Sequence, residues 1–361
     1  MFAFNLIYST ISSYLISKKY YLNKSHFGFI TFFSLYFSVW AVWLIICGGQ
    51  NGVGTDYESY YEIFSAPDIF SYLFLLKGEW GFVTIIKVCA LMKLRPQVVF
   101  SVFYFINFIF LFKIIYRLGS KYAWIFILLY IAFSTVFNNQ LNGLRQYTAI
   151  YIITYALINS YTNKSFLKFL GFIIFAGSIH CSSYLILPFY CIRNINLSSK
   201  FIKYIYFLSA LFVLFGSLNT IFNYVSQFLP KFYSVYLNSD LNAASSYTRI
   251  ITKLIFFPIY LLSLSLITKQ RLSGIEKHLY TLGAISYALR LIFLENIILT
   301  RISQLFILLA IFPIYLYLKY LFQVGDKYKF CFIVGFIIAF YFLKTILFPT
   351  QEYLYQSIYF E

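Results

Sequence analysis

Charge is what this 361-residue chain has least of: Asp, Glu, Lys and Arg make up 11% of it, against about 25% in a typical soluble domain. No polar stretch approaches the ~50 residues that a separate soluble domain needs. Histidine is almost as scarce. The three residues, His26, His180 and His278, are far apart and no HExxH occurs, which excludes a familiar zinc site. The five cysteines (Cys47, Cys89, Cys181, Cys191 and Cys331) form no CxxC pair and mostly sit in apolar runs. They read as small core residues, not as a redox or disulfide framework. Gly49, Gly52 and Gly54 lack the strand, helix and lysine of a phosphate loop.

What the chain has is apolar and aromatic mass, 61% hydrophobic and 24% Phe, Trp or Tyr. Runs of membrane-spanning length recur from end to end, which predicts an all-α, polytopic integral membrane protein. The alternating short strands of a membrane barrel are absent from the sequence. We read about ten crossing helices, near 2–17, 27–47, 98–116, 122–137, 147–160, 204–219, 250–268, 279–294, 302–318 and 330–346, in a single transmembrane domain over 1–361. Two segments depart from that pattern. Residues 80–93 are apolar but short, with Lys87 inside, and read as an interfacial or re-entrant helix. Residues 169–192 are interrupted by Gly177, Ser178, His180, Ser182 and Ser183, and form one crossing or two half-helices bent at His180. The longer polar loops fall at about 48–79, 138–146 and 220–249. Residues 2–16 lack a basic start and a small-residue cleavage site, so they read as a retained first helix.

A net charge of +17 invites a nucleic-acid reading, but the lysines lie in short loops between apolar helices. Topology explains them better, and no nucleic-acid partner is expected. One alternating set of loops, including Lys18, Lys19, Arg117, Lys164, Lys200, Lys269 and Lys327, holds sixteen cations. The other set holds seven: Lys77, Lys93, Arg95, Arg145, Lys231, Arg249 and Arg301. The richer set is predicted to be cytoplasmic, with both termini outward. Asp56, Glu58, Glu62, Asp68 and Glu79 crowd the first outward loop, as a solvated acidic loop or as part of a site.

The polar island Asn138–Gln146 separates two apolar helices, and its Arg145 has no acid nearby in sequence. Such a guanidinium either snorkels to lipid phosphate or binds an anionic substrate. The same face gathers His180, Arg249, Glu295 and Arg301, with Arg290 inside a helix about one turn from Glu295. Arginine grips phosphate or pyrophosphate bidentately. Several converging arginines suit an anionic leaving group, and an acid or imidazole beside them suits proton transfer. Each has a plainer reading: Arg290 pairs with Glu295, Arg301 anchors a helix boundary, and His180 is hydrogen-bonded among serines.

Certain motifs are more specific. Gly-Val-Gly-Thr-Asp-Tyr (52–57) is followed by Tyr60, Tyr61 and Phe64. Glu79-Trp80-Gly81-Phe82 comes next, then Leu144-Arg145-Gln146, then Ala176-Gly177-Ser178-Ile179-His180 and Pro188. In these the chain resembles the EpsG-like, Wzy-type polysaccharide (O-antigen) polymerases of bacterial envelopes, over roughly 50–190. Trp80 stands where that motif leads one to expect proline, and the paired Arg-x10-Gly loops of other O-antigen polymerases are missing, so their roles do not transfer. The resemblance implies a multi-pass glycosyltransferase of the bacterial inner membrane with its active face periplasmic. It would join oligosaccharide repeat units carried on undecaprenyl pyrophosphate, which is the leaving group, without metal or cofactor. The expected roles are Asp56, Glu79 or His180 as base; Arg145, Arg249, Arg290 and Arg301 on the pyrophosphate; and Tyr57, Asn142 and Gln146 on the substrate. Membrane lipid, a chain-length regulator and a flippase of the same pathway are the expected partners. The competing readings are a flippase or transporter of the lipid-linked oligosaccharide, though no internal repeat is evident, and a membrane O-acyltransferase acting on the glycan.

Overall fold

A peptide group in a bilayer core has no water to bond with, so an apolar run must satisfy its backbone within its own helix. The computed structural model, which describes residues 1–21, 28–195, 197–215, 247–269, 271–295, 297–349 and 353–359, follows that rule. The protein is an all-α polytopic membrane protein. Among the described residues the one β-type pairing is an isolated bridge between Gln50 and Ser357. Most of the loop expected at 220–249 lies outside the described residues.

The chain forms two compact units, Met1–Tyr190 with Leu321–Glu361, and Cys191–Tyr320. The first contains α1 (Phe2–Tyr21), α2 (Phe29–Leu35), α3 (Phe37–Gly48), α4 (Tyr57–Ser65), α5 (Pro67–Leu76), α6 (Trp80–Leu91), α7 (Pro96–Leu118), α8 (Ala123–Leu128), α9 (Val136–Asn139), α10 (Leu144–Asn163) and α11 (Phe166–Ile179), and is closed by the helix Lys327–Phe342. Its core is aromatic. Trp43 is fully buried against Phe108, Phe112, Tyr130 and Phe137, and its indole N–H donates to Ser9 Oγ at 2.7 Å. In the second unit Tyr260 and Tyr287 stack at 3.5 Å, and Lys319 pairs with Glu276 at 2.6 Å.

Fewer of the apolar runs are straight helices than their length in sequence suggests. Among the described residues Pro96–Leu118, Ile250–Thr268 and Lys327–Leu347 are each long and apolar enough to cross a membrane. Two bent pairs, Phe29–Leu35 with Phe37–Gly48 (68°) and Leu299–Phe306 with Leu309–Val324 (62°), bring that number to five. The first bend has an identifiable cause. Tyr36 at the break is buried, with its hydroxyl 3.2 Å from that of Ser17, and the indole N–H of Trp40 donates to the Phe33 carbonyl at 3.0 Å. The Trp40 side chain thus takes up the Phe33 carbonyl, which the break releases from the helix.

Of the two irregular segments, the second breaks at the residue expected from sequence. Trp80–Leu91 makes the short α6, which packs against α5. Residues 166–194 break at His180, where α11 ends and a 3-10 helix, Cys181–Asn194, begins. α6 lies so close to α11 that a Cβ on Gly81 would come 2.2 Å from Ser178 Oγ and 3.0 Å from its Cβ. That approach sets the spacing between the starts of α6 and the end of α11. Gly81→Ala is expected to cost about 1–3 kcal/mol of stability through overpacking, and Gly81→Ala with Ser178→Gly to recover part of it. Thermal denaturation of the detergent-purified protein checks this, and equal stability of wild type and Gly81→Ala contradicts it.

Candidate active site

The turn between α5 and α6 decides where Glu79 goes. Gly78 has φ +75°, a left-handed conformation that costs glycine little. Its N–H bonds to the Leu75 carbonyl and that of Glu79 to the Phe74 carbonyl, both at 2.9 Å. This is the paired hydrogen bonding of a Schellman helix end. Glu79 follows as the residue before α6, yet its carboxylate makes no capping bond to that helix. It turns inward instead and is 1% exposed. Trp80 takes the first helical position, the one where proline is also well accommodated because the N–H there has no helical partner.

Two other helix ends meet this carboxylate. Arg145, near the end of the polar island, is the second residue of α10. Its guanidinium lies 4.6 Å from the Phe74 ring centre, 5.2 Å from that of Phe82 and 5.9 Å from that of Tyr60. The Tyr60 hydroxyl accepts from its backbone N–H and from Nε, each at 3.4 Å. His180 follows the last turn of α11 in an extended conformation, and its carbonyl accepts from Ser183 N and Oγ at 3.1 and 2.7 Å.

Glu79 Oε2 pairs with Arg145 Nη1. Oε1 accepts from His180 Nδ1 at 3.1 Å and from the Cys181 N–H at 3.2 Å. Burial pushes the Glu79 carboxyl up, but the hydrogen bond from His180, the charges of Arg145 and His180 and the Cys181 N–H together outweigh it and hold the group below the usual carboxylate range. Glu79 is therefore ionised at neutral pH and can only accept. The proton of a neutral His180 then belongs on Nδ1, leaving the Nε2 lone pair unclaimed by any hydrogen bond among the described residues. The His180 side chain is 24% exposed. The arrangement is a carboxylate–imidazole pair able to take a proton at Nε2, with an arginine fixing the charge of the carboxylate.

Three of the residues singled out from sequence, Glu79, Arg145 and His180, are thus brought into contact. Arg145 does have an acid partner, 66 positions away in the chain, a pairing that local sequence could not reveal. Asp56 is elsewhere. Its backbone N–H donates to Asn142 Oδ1 at 2.8 Å, its carboxylate accepts from Thr55, and it bonds to none of the three. Asn142 therefore holds the Thr55–Asp56 turn. Tyr57 is buried, stacked on Phe100 and bonded to Gln97 at 3.1 Å. Gln146 is half-buried beside Arg145. Arg290, half-buried, acts electrostatically on Tyr260 and Tyr287, and Arg301 is exposed. Both belong to the second unit, as does Arg249, whose side chain lies outside the described residues, as does that of Glu295. The aromatic cage of Tyr60, Phe74 and Phe82 was not foreseen as part of a site, although Tyr60 and Phe82 sit within the motifs that carry the family resemblance.

A family model described as the EpsG family matches residues 35–357. No curated protein and no solved structure matches the chain.

Arg145→Ala leaves the buried Glu79 carboxylate without its cation and is expected to cost about 3–5 kcal/mol. Glu79→Gln combined with Arg145→Met is expected to cost less than Arg145→Ala alone, as thermal unfolding in detergent would record; additive losses contradict the pairing. The sign with pH follows from a lowered carboxyl. Stability from the pair is complete above the ordinary carboxylate value and is lost as pH falls through the depressed one. Glu79→Gln should remove that part of the pH dependence. Parallel stability curves for wild type and Glu79→Gln would argue against it.

Proposed function

The chain belongs to the EpsG family, a family of polysaccharide polymerases, and on that premise we propose that it joins lipid-linked oligosaccharide repeat units by glycosyl transfer, with His180 as general base. The single observation that carries the catalytic assignment is the bond from His180 Nδ1 to the buried Glu79 carboxylate. A hydroxyl of the incoming unit attacks the anomeric carbon of the growing chain, and its proton passes to His180 Nε2. The bond from that carbon to the carrier's pyrophosphate breaks, and the electron pair leaves with undecaprenyl pyrophosphate. Glu79 balances the imidazolium that forms, without becoming the base itself, because a carboxylate held below its usual range is a weak proton acceptor. Arg145 keeps Glu79 ionised. Asp56, bound within its own turn, is the less suitable base.

The proposal carries the Wzy-type reading with it: residence in the bacterial inner membrane, an active face on the periplasmic side and undecaprenyl-pyrophosphate-linked oligosaccharide as substrate. The unequal loop charges support the orientation.

Purified protein mixed with lipid-linked repeat units in detergent should produce joined chains. His180→Ala should slow that by about 10²–10⁴-fold while the protein remains folded. A strain without the gene should keep single repeats at its surface. Loss of every surface repeat would instead identify a flippase, unchanged chain length with altered substituents an acyltransferase, and long chains from His180→Ala would dismiss the base assignment.

A further inference from the structure

The α5–α6 hairpin that presents Glu79 also carries an apolar surface that faces away from it. On α5 the residues Pro67, Ser71 and Phe74 are buried, while Ile69, Tyr72, Leu73 and Leu76, one face at spacings of three and four, are 74%, 67%, 55% and 67% exposed. On α6 Trp80 and Val88 continue the same kind of stripe, 50% and 47% exposed, and the Thr84 hydroxyl between them is taken by the Trp80 carbonyl at 2.8 Å. Ten and twelve residues give helices of about 15 and 18 Å, short of the ~30 Å hydrocarbon core. Neither helix can cross, and water is a poor neighbour for such faces.

Polar groups mark the two ends of the hairpin. Asp68 and Lys87 form an exposed ion pair at 3.3 Å at the open end. At the tip Lys77 is exposed and makes no ion pair among the described residues, and its charge acts on the Cys181 thiol beside Glu79. Apolar faces between polar ends, with a Lys and a Trp at the tip, are the pattern of helices lying in the plane of the membrane interface, where lysine meets lipid phosphate. The surface is also continuous along the chain, through the exposed Leu91 and Met92, with the membrane-crossing α7.

We propose that the α5–α6 hairpin lies in the membrane interface, with its apolar faces on lipid chains, and that Lys77 at its tip receives the phosphate of an anionic lipid beside the Glu79–His180 pair. The occupant is a phosphate-bearing lipid, so substrate comes to this site sideways from the bilayer and not from solution. Only the identification of the lipid carrier as the natural occupant rests on the polymerase reading.

The test uses the full chain in vesicles of brominated phosphatidylcholine or brominated phosphatidylglycerol, with Trp80 as reporter and Trp80→Phe as the blank. Trp43 and Trp124 are buried and Trp40 is half-buried, so the difference isolates Trp80. Brominated lipid should quench Trp80 strongly and aqueous iodide weakly. Brominated phosphatidylglycerol should occupy the site on the order of two- to fivefold better than phosphatidylcholine, and Lys77→Gln should erase that preference. Iodide quenching without bromine quenching overturns the seating, and equal quenching by the two lipids in wild type overturns the role of Lys77. Neither readout needs catalysis. Loss of quenching in a protein that still polymerises counts against this assignment alone, and intact quenching in a protein with no polymerising activity counts against the polymerase reading alone.

Discussion

One buried carboxylate organises this site. Glu79 is nearly inaccessible, and a charge there persists only if donors surround it. Arg145, the His180 imidazole and the Cys181 N–H supply them. They arrive from two helix ends, and Glu79 itself from a third, so three turns of the chain must be correct together. Gly78 ends α5 so that Glu79 faces inward. The turn within the amide island opens α10 one residue before Arg145. The break between α11 and its 3-10 continuation puts His180 and the Cys181 N–H side by side.

The surroundings suit that demand. Phe74 and Phe82 press on the guanidinium, which tolerates aromatic faces better than an ammonium does. They exclude water from the ion pair and so strengthen it. Gly81 lets α6 approach α11 closely enough for the carboxylate and the imidazole to share a hydrogen bond. Helix packing and the orientation of the imidazole therefore depend on the same few contacts, and in the proposed mechanism the base is oriented by a group that is itself too strongly held to compete for the proton.

Much of this was legible in the chain itself. Spanning-length runs revealed the helical membrane class, the interruption at His180 marked the helix break, and the motifs around Glu79, Arg145 and His180 pointed to the family that matches residues 35–357. The pairing of Glu79 with Arg145 was not legible, because it joins residues 66 apart and depends on three helix ends meeting. The bend at Tyr36 was hidden for a similar reason: an apolar run reads the same whether straight or broken, and the hydrogen bond from Trp40 that supports the break is a matter of shape. The loop contacts of Tyr57 with Gln97 and of Asn142 with the Asp56 N–H were not legible either, because each joins residues 40 or more positions apart.

The proposed proton transfer depends on which nitrogen of His180 carries the proton, and the chain's three histidines make that directly observable. Nitrogen-15 NMR of histidine-labelled protein in nanodiscs, with His180→Asn to assign the signal, reports the tautomer. Neutral His180 should be protonated at Nδ1 in the wild type and should shift toward the Nε2-protonated form in Glu79→Gln. An Nε2-protonated wild-type His180, or a tautomer indifferent to Glu79→Gln, would contradict the carboxylate–imidazole pair on which the mechanism is built.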